Sequence, residues 1–520
     1  VEVITQKRTS LILFKIIAAA VLLLAIIPII TIHYVFRTTL PLDSYIAPNG
    51  TKYEFALDTN GLGVIMNKVL TNKYEYKYLN IDEYTVTLSR KREKFGVVKI
   101  SFHRSDYGMY CFIDSDADLD LSFTIRADTP ETPVIRYVNG GDIVKPAFDG
   151  VIGFKSDEQV YIEGGVFVKL GQISRIRDLG NTVFSVDNPV RGAEIRLDEI
   201  RLIMRVPLPH YKNRRTVSSF AICGAPLVKW EEPYVAQKII NLDSKKLNLI
   251  MEDGVYEEKP ALYEPVDEKK DMVYKSVAAY HLKSSAEPCV GEYFRILAST
   301  LLYSHINSFD KAGYIPTGPR VSWLYDNYGF EHKLFDTRFN CDTIDALIYA
   351  SKQFPDPIIG DTVKKALDYY IDFAGKNRFS INGNYFVPDY GHATGEKSAS
   401  HCSLNHYLAE AVTLIKGGIF LNDFKYCDYG YDILKQIDKS ADGWIRENND
   451  LWYAINQNGG FERDDYIDVT YFDLKKARAF LTRLALWDNY PGIAKLLASK
   501  EAWLKADGRE DITGVKLYID

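Results

Sequence analysis

The chain has 520 residues and a formal charge of −6, with 47% hydrophobic, 25% charged and 13% aromatic residues. That balance is globular rather than disordered, the length suggests roughly three structural units, and no basic surplus invites nucleic acid. The six cysteines are scattered without a C-x-x-C pair, which excludes a dense disulfide scaffold and a clustered thiolate metal site.

The first element is an apolar run. Ile16 to Ile32 carry no charge, Lys7, Arg8 and Lys15 precede them, and Arg37 follows. The stretch has about the length of a bilayer-crossing helix, and the positive flank predicts a cytoplasmic N-terminus with the remainder extracytoplasmic. A cleaved signal peptide is the rival; the run is long for one, and no small-x-small site follows it. Residues 1–40 are therefore expected as a cytoplasmic stub and single-pass transmembrane anchor, with the membrane as a partner.

Residues 41–245 read as a β-rich domain. Short alternating runs such as 84–88, 97–102 and 199–204, broken by Gly, Asp, Asn and Pro, predict a sandwich or barrel. Within it, Asp114, Asp116, Asp118 and Asp120 resemble the start of a calcium loop. Leu119 stands where that loop needs glycine and Ile125 where it needs an acid, so the run reads as a solvated strand face or turn. No cofactor and no metal ligand set is expected; structural calcium in another geometry is left open. Residues 246–283, charged and proline-containing, read as a connector.

Residues 284–520 change to helical periodicity. Ser284-Ser285-Ala286-Glu287 predicts a capping box, after which Val290, Phe294, Leu297 and Leu301 share a face. The spacing recurs at Ile344–Ile348, Val363–Ala374, Leu404–Ile415 and Leu474–Leu484. Helical hairpins with long loops predict an incomplete α/α toroid. The expected fold class is thus multidomain: an N-terminal transmembrane helix, a β-sandwich or barrel-like domain, and a C-terminal incomplete α/α toroid.

Tyrosine is the compositional outlier, at 36 residues. Aromatic rings cover the apolar faces of sugars and phenols hydrogen-bond their hydroxyls, although tyrosine is also a good strand and core residue. The informative tyrosines sit in loops of the helical half: Asp389-Tyr390-Gly391-His392 ahead of Leu404-Asn405-His406, then Trp452-Tyr453, then Asp465-Tyr466. Gly313-Tyr314-Ile315-Pro316 with Arg320 opens the region. In their order and rough spacing these motifs resemble the C-terminal domain of the D-glucuronyl C5-epimerases of the heparan/heparosan type, over roughly residues 290–485. Three departures stand out. Gly391 follows Tyr390 where the family has proline, Asn340-Cys341-Asp342 replaces a Gly-Gln pair, and no arginine follows Tyr453.

The resemblance implies a polysaccharide-modifying isomerase that removes the C5 proton of a uronate and returns one to the opposite ring face. Tyr390, Tyr453 and Tyr466 would be catalytic as a group, with Asp389, Asn405, His406 and Arg320 contacting substrate. Such chemistry needs two acid/base groups and a means of stabilising an enolate-like intermediate. A tyrosine acting as base needs its pKa lowered from about 10. The plain alternatives are a core aromatic at Tyr453, a loop residue at Tyr390, and a helix-entry residue at Tyr466 capped by Asp465 or Asp468. His392, His401 and His406 could instead supply a general base or metal ligands. The expected partner is an anionic polysaccharide, and a homodimer is left open. A lyase, a hydrolase using Asp389 and Asp465, and a non-catalytic glycan-binding factor are the competing functions.

Overall fold

The computed structural model describes residues 38–59, 64–90, 93–139, 141–244, 247–267, 271–288 and 290–515. The apolar run at 16–32, read as a membrane anchor, lies outside them. Among the described residues no helix is long and apolar enough to cross a membrane. The fold class and single-pass localisation expected above are corrected accordingly: the described chain is a β-sheet unit followed by a unit of helices and small sheets. The physical reason is plain in the helix Pro357–Asn377, whose 21 residues would reach across a bilayer but carry Asp361, Lys364, Lys365, Asp368, Asp372 and Lys376.

The chain divides into two compact units. The first comprises Val1–Glu75, Asn80–Arg177 and Asp187–Leu227. One antiparallel sheet has the order Thr38–Ile46, Lys52–Thr59, Leu121–Asp128, Arg201–Leu208, Glu194–Asp198, Val151–Gly153. Facing it is a second ladder that includes Asn80–Arg90, Glu93–Ser105, Gly108–Ala117 and Arg215–Cys223. The period of two turns Tyr53, Phe55 and Leu57 inward, and likewise Phe123, Ile125 and Ala127. Phe55 of one sheet meets Phe102 and Phe220 of the other, and Phe123 meets Phe220, with ring centroids 5.4–5.7 Å apart. This is sheet-on-sheet packing around one aromatic core. In the aspartate run, Asp114 pairs with Arg215, and Asp120 accepts the His210 N–H at 2.7 Å.

The second unit comprises Tyr76–Leu79, Asp178–Val186 and Val228–Asp520. Its first helix is α1 (Pro233–Asp243). The stretch 246–283, read as a connector, holds strands Leu249–Met251, Gly254–Glu258 and Asp271–Lys275, the last in register with Val183–Val186, and then α2 (Tyr280–Ser285). The capping box is also corrected. Ser284 and Ser285 end α2, and α3 begins at Glu292. Pro288 lies between them, and proline both lacks an N–H and disfavours helix in the residue before it. α3 (Glu292–Ser308) is buried on every side from Ile296 to Ile306, not along one stripe.

There follow α4 (Ser322–Tyr328), α5 (Thr337–Ala350), α6 (Pro357–Asn377), α7 (Leu404–Leu421), α8 (Phe424–Lys439), α9 (Ala441–Trp444), α10 (Val469–Arg483), α11 (Pro491–Ala506) and α12 (Glu510–Thr513). Helices α5, α7 and α10 lie side by side, and α6, α8 and α11 pack behind them as the second members of hairpins. Asp336, Asp356 and Asp423 cap α5, α6 and α8 through backbone N–H groups. At Gly430 a Cβ would fall 2.7 Å from the Ala411 carbonyl oxygen, so glycine sets the close approach of α8 to α7.

The ring cluster of the first unit yields a direct test. Phe55→Ala should lower stability by about 3–5 kcal/mol, read as a lower denaturant midpoint for that unit. A loss below about 1 kcal/mol would show a core that collapses around the gap.

Candidate active site

The N-terminal ends of α5, α7 and α10 converge on a cleft of about 410 Å³, within the size range of small-ligand sites. Each sequence-derived tyrosine reaches it by a different local device. Tyr390 belongs to a two-residue strand that pairs with Phe335–Asp336, in the register Phe335↔Gly391 and Asp336↔Tyr390. Gly391 is required by packing, since a Cβ there would stand 2.7 Å from the Phe373 ring. This accounts for the departure from proline.

Tyr453 lies on strand Trp452–Ile455, which pairs on one side with Phe461–Asp464 and on the other with Cys402–Ser403, the residues that lead into α7. That pairing brings Tyr453 beside Asn405 and His406. Tyr466 follows the same hairpin just before α10 and is 51% exposed, whereas Tyr390 and Tyr453 are buried. The Tyr453 and Tyr466 rings meet edge to face, 5.4 Å apart. The ring of Tyr390 lies 5.6 Å from that of His406. All three tyrosines, Asn405 and His406 line the one cleft.

A buried ammonium group ties two of these loops together. Lys500 on α11 is fully buried and bonds Asp450 Oδ1 at 2.6 Å, Asp465 Oδ2 at 2.9 Å and the Tyr466 carbonyl at 2.8 Å. Asp450 precedes the Tyr453 strand and Asp465 precedes Tyr466. Asp465 also accepts from Thr470 Oγ1 at 2.6 Å. Asp468 holds the N-cap position of α10 without a side-chain capping bond.

Asp389 lies behind the cleft, fully buried, with His401 Nε2 at 3.3 Å and His406 Nδ1 at 3.8 Å from its Oδ2. Its Oδ1 accepts the Ser403 N–H at 2.8 Å. His401 Nδ1 meets Tyr328 Oη at 3.0 Å, and His406 Nδ1 meets Thr337 Oγ1 at 2.9 Å. Burial opposes the Asp389 anion, but the His406 and His401 imidazoles and the Ser403 side chain more than offset it, holding its carboxyl below the usual range. Burial pushes His406 down to about 4 against the pull of Asp389, so its imidazole is neutral at pH 7. His392 is elsewhere, stacked on Phe330 at 4.0 Å. Arg320 is not in the lining either; it pairs with Glu264 at 2.5 Å.

Burial raises the pKa of all three cleft tyrosines, and neighbouring acids add to it, Asp389 for each of them. In this cleft the phenols are therefore protonated, the reverse of what a tyrosine base requires. Two lining residues escaped the sequence reading. Arg338 is the one lysine or arginine among the described lining residues. Its guanidinium is taken up by Asp473 at 2.6 and 3.0 Å, Asp342 at 3.0 Å and the Asn405 carbonyl at 3.3 Å. Asp336 is the one carboxylate among them. Burial pushes it up to about 7, with the negative charges of Asp389 and Asp342 adding to the effect and the Phe339 N–H and Arg338 opposing it. Its sequence signal was an aspartate just ahead of the amphipathic run containing Ile344, an N-cap pattern that conveys structure and not chemistry.

No protein-family model matches the chain, and no curated protein matches it. Among solved structures, a glycoside hydrolase family 76 mannosidase from Bacteroides thetaiotaomicron is 14% identical, with a TM-score of 0.33, over 44% of this chain and 59% of its own. A cellobiose 2-epimerase from Bacillus thermoamylovorans is 13% identical, TM-score 0.33, over 45% and 60%. A D-mannose isomerase is 12% identical, TM-score 0.31, over 43% and 58%. The chain thus spans about three fifths of the length of these structures. All three are named for work on carbohydrates; at such scores the likeness carries no argument about the activity of this chain.

Two predictions follow from the buried charges. Lys500→Met takes its cation from Asp465 and leaves Asp450 only Arg446 at 3.6 Å; it should cost about 3–5 kcal/mol, measured by denaturant unfolding. The second concerns Glu410 on α7, which accepts from Tyr370 Oη at 2.5 Å and which burial pushes up to about 8. The native state keeps a proton there that the unfolded chain releases near pH 4.5, so this contribution to stability declines as pH rises through 4.5 to 8. Glu410→Gln should therefore flatten the pH dependence, gaining thermal midpoint relative to wild type at pH 9 over pH 5. An unchanged difference between the two pH values would refute the assignment.

Proposed function

We propose that the chain is a carbohydrate-modifying enzyme, a uronyl C5-epimerase acting on D-glucuronyl residues of an anionic polysaccharide. The observation that supports this reading is the meeting of Tyr390, Tyr453 and Tyr466, from three separate connections, around one cleft. The C5 proton of a uronate is α to a carboxylate, so its removal pushes negative charge onto the carboxylate oxygens. Protonated phenols in a partly dry cleft are suitable donors to that charge. The N-terminal ends of α5, α7 and α10 supply positive partial charge in the same direction. A phenol hydroxyl can also return a proton to C5. Asn405 and His406 are placed to bind ring or carboxylate oxygens. Arg338, already saturated by its own acids, stiffens the wall and leaves carboxylate recognition to neutral donors.

Hydrolysis needs a second carboxyl group facing the sugar, and Asp336 stands alone among the described lining residues. Asp389 and Asp465, the pair considered for a hydrolase, are each buried among other partners. A β-eliminating lyase shares the first step, and the products separate the two.

The decisive measurement is incubation with uronate polymers in D2O. Deuterium at C5 without chain cleavage is the expected result. Unsaturated uronate absorbing in the ultraviolet would replace the epimerase by a lyase, and new reducing ends would indicate hydrolysis. Tyr453→Phe keeps the ring but removes the hydroxyl, and should reduce exchange by about 10²-fold or more. Unaltered exchange would remove the phenol from the mechanism.

A further inference from the structure

We propose that Asp336 is the carboxylate that removes the C5 proton, with a cleft phenol as its acid partner. The inference rests on the epimerase reading and assigns the base that the three tyrosines leave open. Three observations carry it. Asp336 is the only acid among the described residues lining the cleft. Its register partner across the short ladder is Tyr390, and directly opposed residues on such a ladder have Cβ atoms about 4.5–5.5 Å apart on one face. Its Oδ1 accepts the Phe339 N–H at 2.9 Å as the N-cap of α5. One oxygen is thus anchored, and the carboxyl retains a second for chemistry.

The charged surroundings suit the task. Asp389 and Asp342 raise its proton affinity and Arg338 lowers it. Asp336 in turn opposes ionisation of Glu410 and of the phenols of Tyr390, Tyr453 and Tyr466. Tyr263 and Tyr274, on strands of the same unit, experience the same influence from Asp336, and His406 is neutral. A carboxyl held near neutrality is matched to taking and releasing a proton at physiological pH.

The step balances without a co-reactant. The C5–H bond breaks, its proton passes to the Asp336 carboxylate, and its electron pair enters the uronate carboxylate as an enediolate. A phenol then gives its proton to C5 from the opposite face, restoring the C5–H bond and leaving a phenolate. The proton on Asp336 returns to that phenolate, directly or through water, and both groups regain their starting states.

The test separates capping from catalysis. Asp336→Asn retains a capping oxygen, since asparagine caps about as well as aspartate, but cannot accept the proton. It should lose C5 deuterium incorporation by about 10²–10⁴-fold with its thermal midpoint preserved, and Asp336→Glu should recover part of the rate. Asp356→Asn, altering the equivalent cap of α6, should exchange like wild type. Carboxyl-carbon NMR of aspartate-labelled wild type should show a resonance titrating near 7 that is absent from Asp336→Asn. If wild type exchanges and Asp336→Asn exchanges equally, or if that carboxyl titrates in the ordinary aspartate range, the assignment falls while the epimerase reading survives. If wild type exchanges C5 in no uronate polymer, the epimerase reading falls and takes the assignment with it.

Discussion

The arrangement of the cleft depends on one buried cation. Lys500 reaches from α11 to Asp450, Asp465 and the Tyr466 carbonyl, so two separate loops share one anchor. Among the described residues Asp465 has no other cation in reach, and Asp450 has besides it only Arg446 Nη1 at 3.6 Å, whereas an unpaired charge in a protein interior is too costly to keep. The segments of Tyr453 and Tyr466 are thereby held by ionic geometry behind them, not by contact of the two rings alone. Tyr453 is held further by strand pairing with the residues that open α7, and Tyr390 by its ladder with Asp336.

A second constraint follows from the same burial. Removing phenols and carboxyls from water favours their neutral forms. In this cleft that keeps tyrosines as proton donors and raises the lining aspartate towards neutrality. The expectation of a tyrosine with lowered pKa therefore gives way, in the mechanism proposed above, to a division of labour in which phenols stabilise and donate while a carboxylate accepts. The acids most visible in the sequence motifs, Asp389 and Asp465, turn out to support other groups. Asp389 orients His401 and His406, and Asp465 completes the lysine clamp.

Polar networks behind the cleft link these parts. Thr337 contacts His406, which faces Asp389, which faces His401, which meets Tyr328. Such chains are stable when every member is satisfied, and they fix side-chain orientation more strictly than apolar packing does. Arg338 plays the same part between α5, α7 and α10 by bonding Asp342, the Asn405 carbonyl and Asp473.

The sequence by itself determined the local elements and pointed to the three tyrosines that line the cleft. Periodicities of two and of 3.6 are carried by neighbouring residues, so strands such as Asn80–Arg90 and helices such as Leu404–Leu421 could be read without a fold. The three tyrosines were singled out by the order and rough spacing of the motifs around them, not by periodicity, and two of them lie on short strands. Which acid faces the cleft was not legible. Asp336, Asp389 and Asp465 look alike in a sequence, and burial, register and the position of Lys500 distinguish them. The tertiary structure also placed Arg320 against Glu264 and the serines at 284–285 at a helix end, because ion pairs and helix limits depend on partners far along the chain or on a proline that interrupts the pattern. Proton affinity belongs to that same level: it is a property of surroundings assembled by folding, and no residue carries it alone.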